Sequence, residues 1–396
     1  MEALEDVKVL DLGWHIAGPY CTKLLADYGA QVIKVERPDG GDPARKEGPF
    51  PKDEPNCEAS GLFLYLNNNK KGITLNLKTE SGKKYLKELI KWADILVENF
   101  SPMVMPSLGL YFVTLKDINP GLVMVSISNF GHSGPYRDYK ATDIIIQALS
   151  GWMLYRGDAR REPVKAAGML RISEFIAGAF AGAASMSALV HKKKINKGQH
   201  VDISIMEAVL QMTPYAWLAG KFPASIWPSK RHIYTPGIEQ CKDGYIGLNI
   251  LTGQHWVDLC GMTEMYDWAE NEDYALMNKR SMRFQDVKDR MRPWLMDRTR
   301  TEIQKEAISW RVPASMVFTA EDLAKTELHR ERGYMIEVDH PVAGKIMQPG
   351  PQVRMEKTPW RMKSPAPLLG QNNTEVYTGL GLDKKDIVTL KQADII

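Results

Sequence analysis

The sequence predicts an α/β fold in which a parallel sheet carries helices on both faces. Two observations predict it. Short apolar runs of strand character, VKVLDL (7–12), QVIKV (31–35), ILV (95–97) and LVMVSI (122–127), alternate with stretches of helical pattern. Such alternation gives a parallel sheet covered on both sides. The other is one long apolar stretch, AAGMLRISEFIAGAFAGAASMSALV (166–190), crowded with small residues and free of Asp, Pro and Asn. Small residues let a second backbone approach closely.

The elements follow in order. Val7 to Leu12 is a buried strand ending at Gly13, with a helix from about Pro19 through Ala26. After the Gly29-Ala30 turn comes the strand Gln31 to Val35. This β-α-β start lacks G-x-G-x-x-G, so dinucleotide binding is not supported. Residues 36–60 form a long polar loop rich in Pro and Gly, a length usually tied to function or disorder. Ile73 to Leu77 is a short strand, Thr79 to Trp92 an amphipathic helix, and Ile95 to Val97 and Leu122 to Ile127 are further strands. Asp143 to Trp152 is a short buried helix.

The central helix then runs from about Ser173, which serves as its cap, to the cationic end His191 to Lys194. Its uncharged part, Phe175 to Val190, is sixteen residues long. That is short of the ~20 needed to span a bilayer, so it is read as a core helix. Gln199 to Ile205 alternates like a strand and a helix follows from Met206. Residues 213–240 look like a linker. Asp243 to Ile250 and the helices to about Arg332 form a smaller region, His340 to Pro367 is β-like, and a last helix covers Asn373 to Gly379.

With 396 residues the chain is long enough for two domains, at ~100–200 residues each. A net charge of +3 argues against a dedicated nucleic-acid binder. The start, MEALEDVKVLDLG, has no basic segment followed by an apolar one, so no signal peptide is expected. Cys21, Cys57, Cys241 and Cys260 show no CxxC pairing, and the eight histidines lack metal-ligand spacing. A cytoplasmic location and no metal site are expected.

Ligands of such sheets gather at the carboxyl ends of the strands. The cations and amides read as lying on loops after strands are Arg37, Arg45, Lys70, Lys71, Asn99, Arg137 and Lys140. Gathered on one edge they suit a phosphate-bearing ligand. Asp143, Glu174 and His15 are the candidate nucleophiles and bases. Asp143 reads more readily as a helix cap, and Cys21 as core packing. Glu174 in a first helical turn is either a dipole-favoured carboxylate or one placed to act on a ligand.

Seven stretches in order resemble one known family: AGPYCTKLLADYGAQVIKVERPDGGDPAR (17–45), LNNNKKGITLNLK (66–78), ADILVENFSP (93–102), INPGLVMVSISNFGHSGPY (118–136), TDIIIQALSG (142–151), KGQHVDISIMEA (197–208) and APLLGQNNTEV (366–376). Their order and spacing are similar to family III CoA-transferases, also called CaiB/BaiF. The resemblance implies a large Rossmann-like domain built from both chain ends (1–212 and, after a linker, 333–396). It implies a smaller α+β domain (241–332) and two subunits interlaced like rings. It also implies a chemistry. A carboxylate attacks a donor acyl-CoA to give a mixed anhydride and CoA thiolate. An enzyme–CoA thioester forms, and CoA passes to an acceptor acid. Coenzyme A enters as a thioester substrate, with no permanently bound cofactor, and neither nucleic acid nor membrane is a partner.

Residue by residue, Ala17, Arg37, Leu66, Lys70, Asn99, Phe100 and Lys140 stand where the family contacts CoA. His15 and Ile16 occupy the turn whose backbone lines the thioester. Ser107 falls where some members place an Arg. The family nucleophile is an Asp followed four residues later by Gly; here Glu174 precedes Gly178. Thr142 stands where the racemase branch of this fold needs a His, which excludes that activity. Two expectations follow. The first is an active transferase with Glu174 as nucleophile. The second is a silent scaffold subunit whose homologous partner carries the Asp, as in two-chain members such as succinyl-CoA:(R)-benzylsuccinate CoA-transferase of anaerobic toluene breakdown. Met169, Met206, Met212 and Trp217 hint at an apolar or aromatic acyl group, and core packing explains them equally well.

Overall fold

The computed structural model describes residues 2–155, 171–212 and 235–396. Met169 and Trp217, two of the four residues named for an acyl pocket, lie outside them, as does most of the expected linker. Contacts divide the chain into two compact units. One holds Met1–Leu154, Lys165–Leu218 and Arg330–Ile396; the other holds Tyr155–Val164 and Ala219–His329.

The first unit is built on six parallel strands: β1 (Lys8–Asp11), β2 (Gln31–Glu36), β3 (Lys70–Thr74), β4 (Ile95–Glu98), β5 (Val123–Ser128) and β6 (His200–Ser204). Their order in space is β3-β2-β1-β4-β5-β6. The helices between them are α1 (Ala17–Asp27), α2 (Gly61–Leu66), α3 (Glu80–Trp92), α4 (Val104–Ser107), α5 (Phe112–Ile118), α6 (Asp143–Leu149) and α7 (Ile172–Ile195), and α8 (Ile205–Gln211) follows β6. The strand order reverses between β1 and β4, which opens a crevice at their carboxyl ends.

The central strands β2, β1, β4 and β5 are largely apolar on both sides because both sides are covered. Val9, Val32, Ile95, Val97 and Val125 pack with Cys21, Leu25, Ala177 and Ala181 of α1 and α7. Leu10, Ile33, Val35 and Leu96 face the other way, onto Leu86, Leu89 and Leu115 and onto Tyr377 and Ile387 from the C-terminal segment. That segment contains the antiparallel pair β10 (Met335–His340) and β11 (Gly344–Pro349), then α12 (Asn373–Gly379) and α13 (Lys384–Gln392). It also closes the open edge of the sheet. The Gly72 N–H donates to Asn372 Oδ1 and the Thr74 N–H to Asn373 Oδ1, at 2.9 and 2.8 Å. An edge strand covered in this way is no template for another chain.

The second unit has an antiparallel sheet of β7 (Ile238–Cys241), β8 (Gly244–Leu248) and β9 (Ala314–Met316). Its helices include α9 (Gly253–Met262), α10 (Phe284–Met296) and α11 (Arg300–Ser309). Trp256, Leu259, Met291 and Ile303 form its core.

Several expectations change. β3 begins at Lys70, three residues early, because the Asn67 to Asn69 turn delivers the chain directly alongside β2. α13 was not anticipated; its start is fixed by a capping box between Asp383 and Asp386. Ser173 lies inside α7 and does not cap it; the preceding residue is Arg171, with φ of 45°. Asp143 opens α6 behind Thr142 and is not its cap. At 24 residues α7 is long and apolar enough to cross a membrane by length and composition alone. Its face of Ala177, Gly178, Ala181 and Gly182 is buried in this fold.

Candidate active site

The site grows from the turn between β1 and α1. Side chains from several strand ends hold the backbone of that turn. The Gly13 N–H donates to Asp11 Oδ1 at 2.9 Å. Asn99, just past β4, clamps Trp14 from both sides: its Oδ1 accepts from the Trp14 N–H at 2.7 Å, and its Nδ2 donates to the Trp14 carbonyl at 2.8 Å. The His15 N–H donates to Asp42 Oδ1 at 3.0 Å. Lys34, from β2, donates to Asp42 Oδ2 at 2.7 Å and to the Gly13 carbonyl. The turn can be this tight because Gly13 and Gly18 touch; a Cβ on Gly18 would lie 2.8 Å from the Gly13 Cα.

So fixed, the turn gives His15 a left-handed backbone, with φ of 58°, and leaves the Ile16 N–H at the mouth of α1. That N–H favours the ionised form of the Glu174 carboxyl. The approach of α7 depends on Gly178, one helical turn beyond Glu174 on the same face. A Cβ there would sit 2.7 Å from the Ala17 carbonyl oxygen. The spacing Glu174-x-x-x-Gly178 therefore has a mechanical meaning. Glycine brings α7 against the start of α1, and the carboxylate four residues earlier is carried toward the β1–α1 turn.

Four charged or titratable groups surround Glu174. Arg171 Nη1 is 4.0 Å from Glu174 Oε1, and Arg171 Nη2 donates to Glu47 Oε1 at 2.9 Å. His15 Nδ1 lies 3.0 Å from the same Glu47 oxygen and 3.3 Å from Arg171 Nη1. Asp143 Oδ1 accepts from the Ser173 N–H at 3.2 Å. Burial pushes the Glu174 carboxyl up to about 7; Arg171 and the Ile16 N–H pull it down, while Asp143 and Glu47 push it further up. A carboxylate poised near neutrality, 22% exposed, and flanked by Arg171 is suited to nucleophilic or acid–base work.

Beside this lies a second platform. Phe100 meets the Trp14 ring edge-on at 5.1 Å, and the Arg37 guanidinium lies over it at 4.7 Å. Arg37 is exposed and makes one long contact, 3.5 Å to the Gly41 carbonyl, so its charge faces solvent as an anion ligand requires. His15, Ile16, Ala17, Arg37, Asn99, Phe100 and Glu174 are thus brought together. Leu66 is buried at the end of α2, and Lys140 is exposed on the loop before α6.

Three cations of the expected set do other work. Lys70 opens β3 at the amino end of the sheet, not on a loop after a strand. Its side chain runs inward and is fully buried, donating to Asp11, Thr22, Asn67 and the Pro19 carbonyl at 2.8–2.9 Å. An ammonium so engaged has no hydrogen left for a phosphate, which speaks against Lys70 as a side-chain ligand of CoA. Arg45 is buried between Glu36 and Glu58 and anchors the long 36–60 loop. Lys71 pairs with Glu375.

The sequence reading missed Arg171, Glu47 and Asp42 as parts of the site. For Arg171 a signal was present: three residues before Glu174, it falls on the same helical face. Among the described residues no cluster of three His, Cys, Asp or Glu side chains has the geometry to hold a metal.

Residues 4–373 match the model of CoA-transferase family III. The chain belongs to this family. It is 32% identical to succinyl-CoA–D-citramalate CoA-transferase of Chloroflexus aurantiacus, across 99% of this chain and 98% of that one. It is 30% identical to human succinyl-CoA:glutarate CoA-transferase, across 100% of this chain and 90% of that one. Among solved structures it resembles a CaiB/BaiF family protein from Brucella suis, with a TM-score of 0.85 at 26% identity, covering 96% of this chain and 99% of that chain. The parallel sheet with its covering helices is thus a family III CoA-transferase fold.

Proposed function

We propose that this chain transfers CoA from succinyl-CoA, or a similar thioester, to a dicarboxylic acid, with Glu174 as the nucleophile. The observation that carries the reading is the Glu174 carboxylate, 22% exposed and 4.0 Å from the Arg171 guanidinium, set by the Gly178 contact beside the β1–α1 turn at the β1–β4 crevice. The donor and acceptor class is taken from relatives whose acids, citramalate and glutarate, both bear two carboxylates. Benzylsuccinate, the aromatic acid suggested by the resemblance, is itself a dicarboxylic acid and stays within this class.

The steps balance without any other reactant. A Glu174 oxygen attacks the thioester carbonyl; the C–S bond breaks, leaving a glutamyl–acyl anhydride and CoA thiolate. The thiolate attacks the glutamyl carbonyl and releases the donor acid, leaving a glutamyl–CoA thioester. The acceptor carboxylate attacks that thioester, giving a new anhydride and thiolate. The thiolate then attacks the acceptor's acyl carbon, and Glu174 is freed as a carboxylate. A carboxylate suits this cycle because its anhydride and thioester are both reactive. The Ile16 N–H, which favours charge on the Glu174 carboxylate, would stabilise negative charge that develops on oxygens at the Glu174 carboxyl carbon. Arg37 on the Trp14 platform would take a phosphate of CoA, which enters as substrate and is not retained as a cofactor.

The resemblance also supports residues 1–212 and 333–396 as the CoA-binding domain, 241–332 as the small domain, and an interlaced dimer of two copies or two homologues. The exposed Ile144, Ile145 and Leu149 of α6 and Phe180 and Val190 of α7 fit a face covered by such a partner. One observation favours a second reading, a scaffold subunit. Glu stands where the family has Asp, and its extra methylene displaces the carboxylate by about 1 Å, which can cost about 10²-fold in rate. The test is CoA transfer from succinyl-CoA to glutarate or citramalate. Transfer abolished by Glu174→Gln supports the nucleophile; full activity of the assembled Glu174→Gln enzyme overturns it in favour of the scaffold.

A further inference from the structure

The arrangement of Arg171, His15 and Glu47 has a use beyond tuning Glu174. One guanidinium spans two carboxylates. Its Nη1 lies 4.0 Å from Glu174 Oε1, and its Nη2 donates to Glu47 Oε1 at 2.9 Å. His15 Nδ1 meets that same Glu47 oxygen at 3.0 Å. The three side chains of this second contact are each about one-third exposed: 35% for His15, 31% for Glu47 and 34% for Arg171. They line an open surface, unlike Lys34–Asp42 and Lys70–Asp11, whose side chains are 0% exposed. A solvent-open ion pair adds little to stability and is cheap to exchange. The backbones that hold it are strained: Arg171 and His15 are non-glycine residues with φ of 45° and 58°. Such strain persists mainly where function requires the geometry.

We propose that Arg171 and His15 seat the second, non-reacting carboxylate of a dicarboxylic acyl group, and that Glu47 fills this seat until substrate arrives. The inference rests on the reading of Glu174 as the acyl-accepting nucleophile. When Glu174 carries a short dicarboxylic acyl chain, the reacting carbonyl is on Glu174 and the free carboxylate is a few bonds away. Two carboxylate groups straddling one guanidinium is the disposition already present between Glu174 and Glu47. Glu47 belongs to the polar 36–60 loop and can turn to water. A monocarboxylic chain of the same length offers nothing to Arg171 and leaves the Arg171–Glu47 pair in place. The seat therefore selects acyl groups with a terminal carboxylate.

The test compares equilibrium binding of succinyl-CoA and butyryl-CoA, which differ in that terminal group. It is made on full-length Glu174→Gln so that no acyl transfer intervenes. Succinyl-CoA should bind roughly tenfold tighter, or more, as a charge-assisted pair predicts. Adding Arg171→Gln should remove the preference by weakening succinyl-CoA alone. Adding Glu47→Gln in place of Arg171→Gln should strengthen succinyl-CoA severalfold and leave butyryl-CoA unchanged. Equal affinities in the parent, a preference that survives Arg171→Gln, or variants that shift both thioesters together would overturn the seat. Failure of both thioesters to bind would overturn the CoA-transferase reading itself.

Discussion

The Asp143 carboxylate accepts a hydrogen bond from the Ser173 backbone N–H at 3.2 Å, one residue before Glu174. It supplies an acceptor for the first turn of α7 and, in the same position, a negative charge that pushes the Glu174 carboxyl up. Asp143→Asn keeps an oxygen acceptor and removes the charge. The acid limb of the kcat/KM profile should then move to lower pH, with the fold intact. An unmoved limb would show that Asp143 does not act on Glu174.

As the proposed nucleophile, Glu174 would attack only when ionised. With its carboxyl near 7 in the free enzyme, kcat/KM should rise with pH and level off above 8. At pH 6 the ionised fraction leaves a rate about tenfold below the plateau. A limb near 4.5, the ordinary value for Glu, would mean that the carboxylate is more solvated than its surroundings indicate.

Gly178→Ala places a methyl group 2.7 Å from the Ala17 carbonyl oxygen. α7 must back away from α1, carrying Glu174 away from the β1–α1 turn. The expected loss in kcat is about 10²-fold, from displacement of about 1 Å. Melting should fall as well, by overpacking of about 1–3 kcal/mol. Steady-state kinetics and thermal denaturation measure the two effects separately.

Lys70→Gln should act on stability. Asp11 would be left buried with its ammonium partner gone, a change worth about 3–5 kcal/mol in comparable buried pairs. A large drop in melting temperature is expected, with little change in the CoA dissociation constant of the protein that remains folded. Weaker CoA binding with unaltered melting would return Lys70 to the ligand set.

Glu98, at the end of β4, is 1% exposed, and burial pushes its carboxyl up to about 7, although the Phe100 N–H donates to its Oε2 at 2.9 Å and Ser126 favours the charged form. Its Oε1 lies 3.8 Å from His132 Nε2, and neither atom has a hydrogen-bond partner among the described residues. Between the ordinary carboxylate value and about 7, the folded chain holds a proton that the unfolded chain has lost. Stability from this group therefore falls as the pH rises through that window. Glu98→Gln should stabilise the protein more at pH 8 than at pH 5, by on the order of 1–3 kcal/mol. Equal effects at both pH values would contradict the buried, protonated state.

Much of the fold was legible because its central strands are short and largely apolar on both faces. β1, β2, β4 and β5 fall within about one or two residues of their expected bounds, since a doubly covered strand leaves an uninterrupted hydrophobic run. α13 was missed although Asp383 and Asp386 mark its start, because its apolar residues Ile387 and Leu390 are few and sit among charges. The roles of cations were harder to read. Lys70 and Arg37 look alike in sequence; what separates them is Asp11, 59 residues from Lys70, and Trp14, which lies under Arg37. The pairing of Arg171 with Glu47 spans 124 residues and could not be read from spacing. Glu174 itself was visible, because a lone carboxylate in a small-residue helix has few structural reasons to be there.

The central claim is that Glu174 carries the acyl and CoA groups in turn. The most direct measurement is to add succinyl-CoA to the enzyme as purified from its source, reduce the enzyme–CoA thioester with borohydride, and map the modified peptide by mass spectrometry. Reduction of a glutamyl thioester leaves an alcohol at that side chain, and the account predicts it at Glu174. A mark confined to an Asp of a second, homologous chain would contradict it and make this chain the scaffold of its complex.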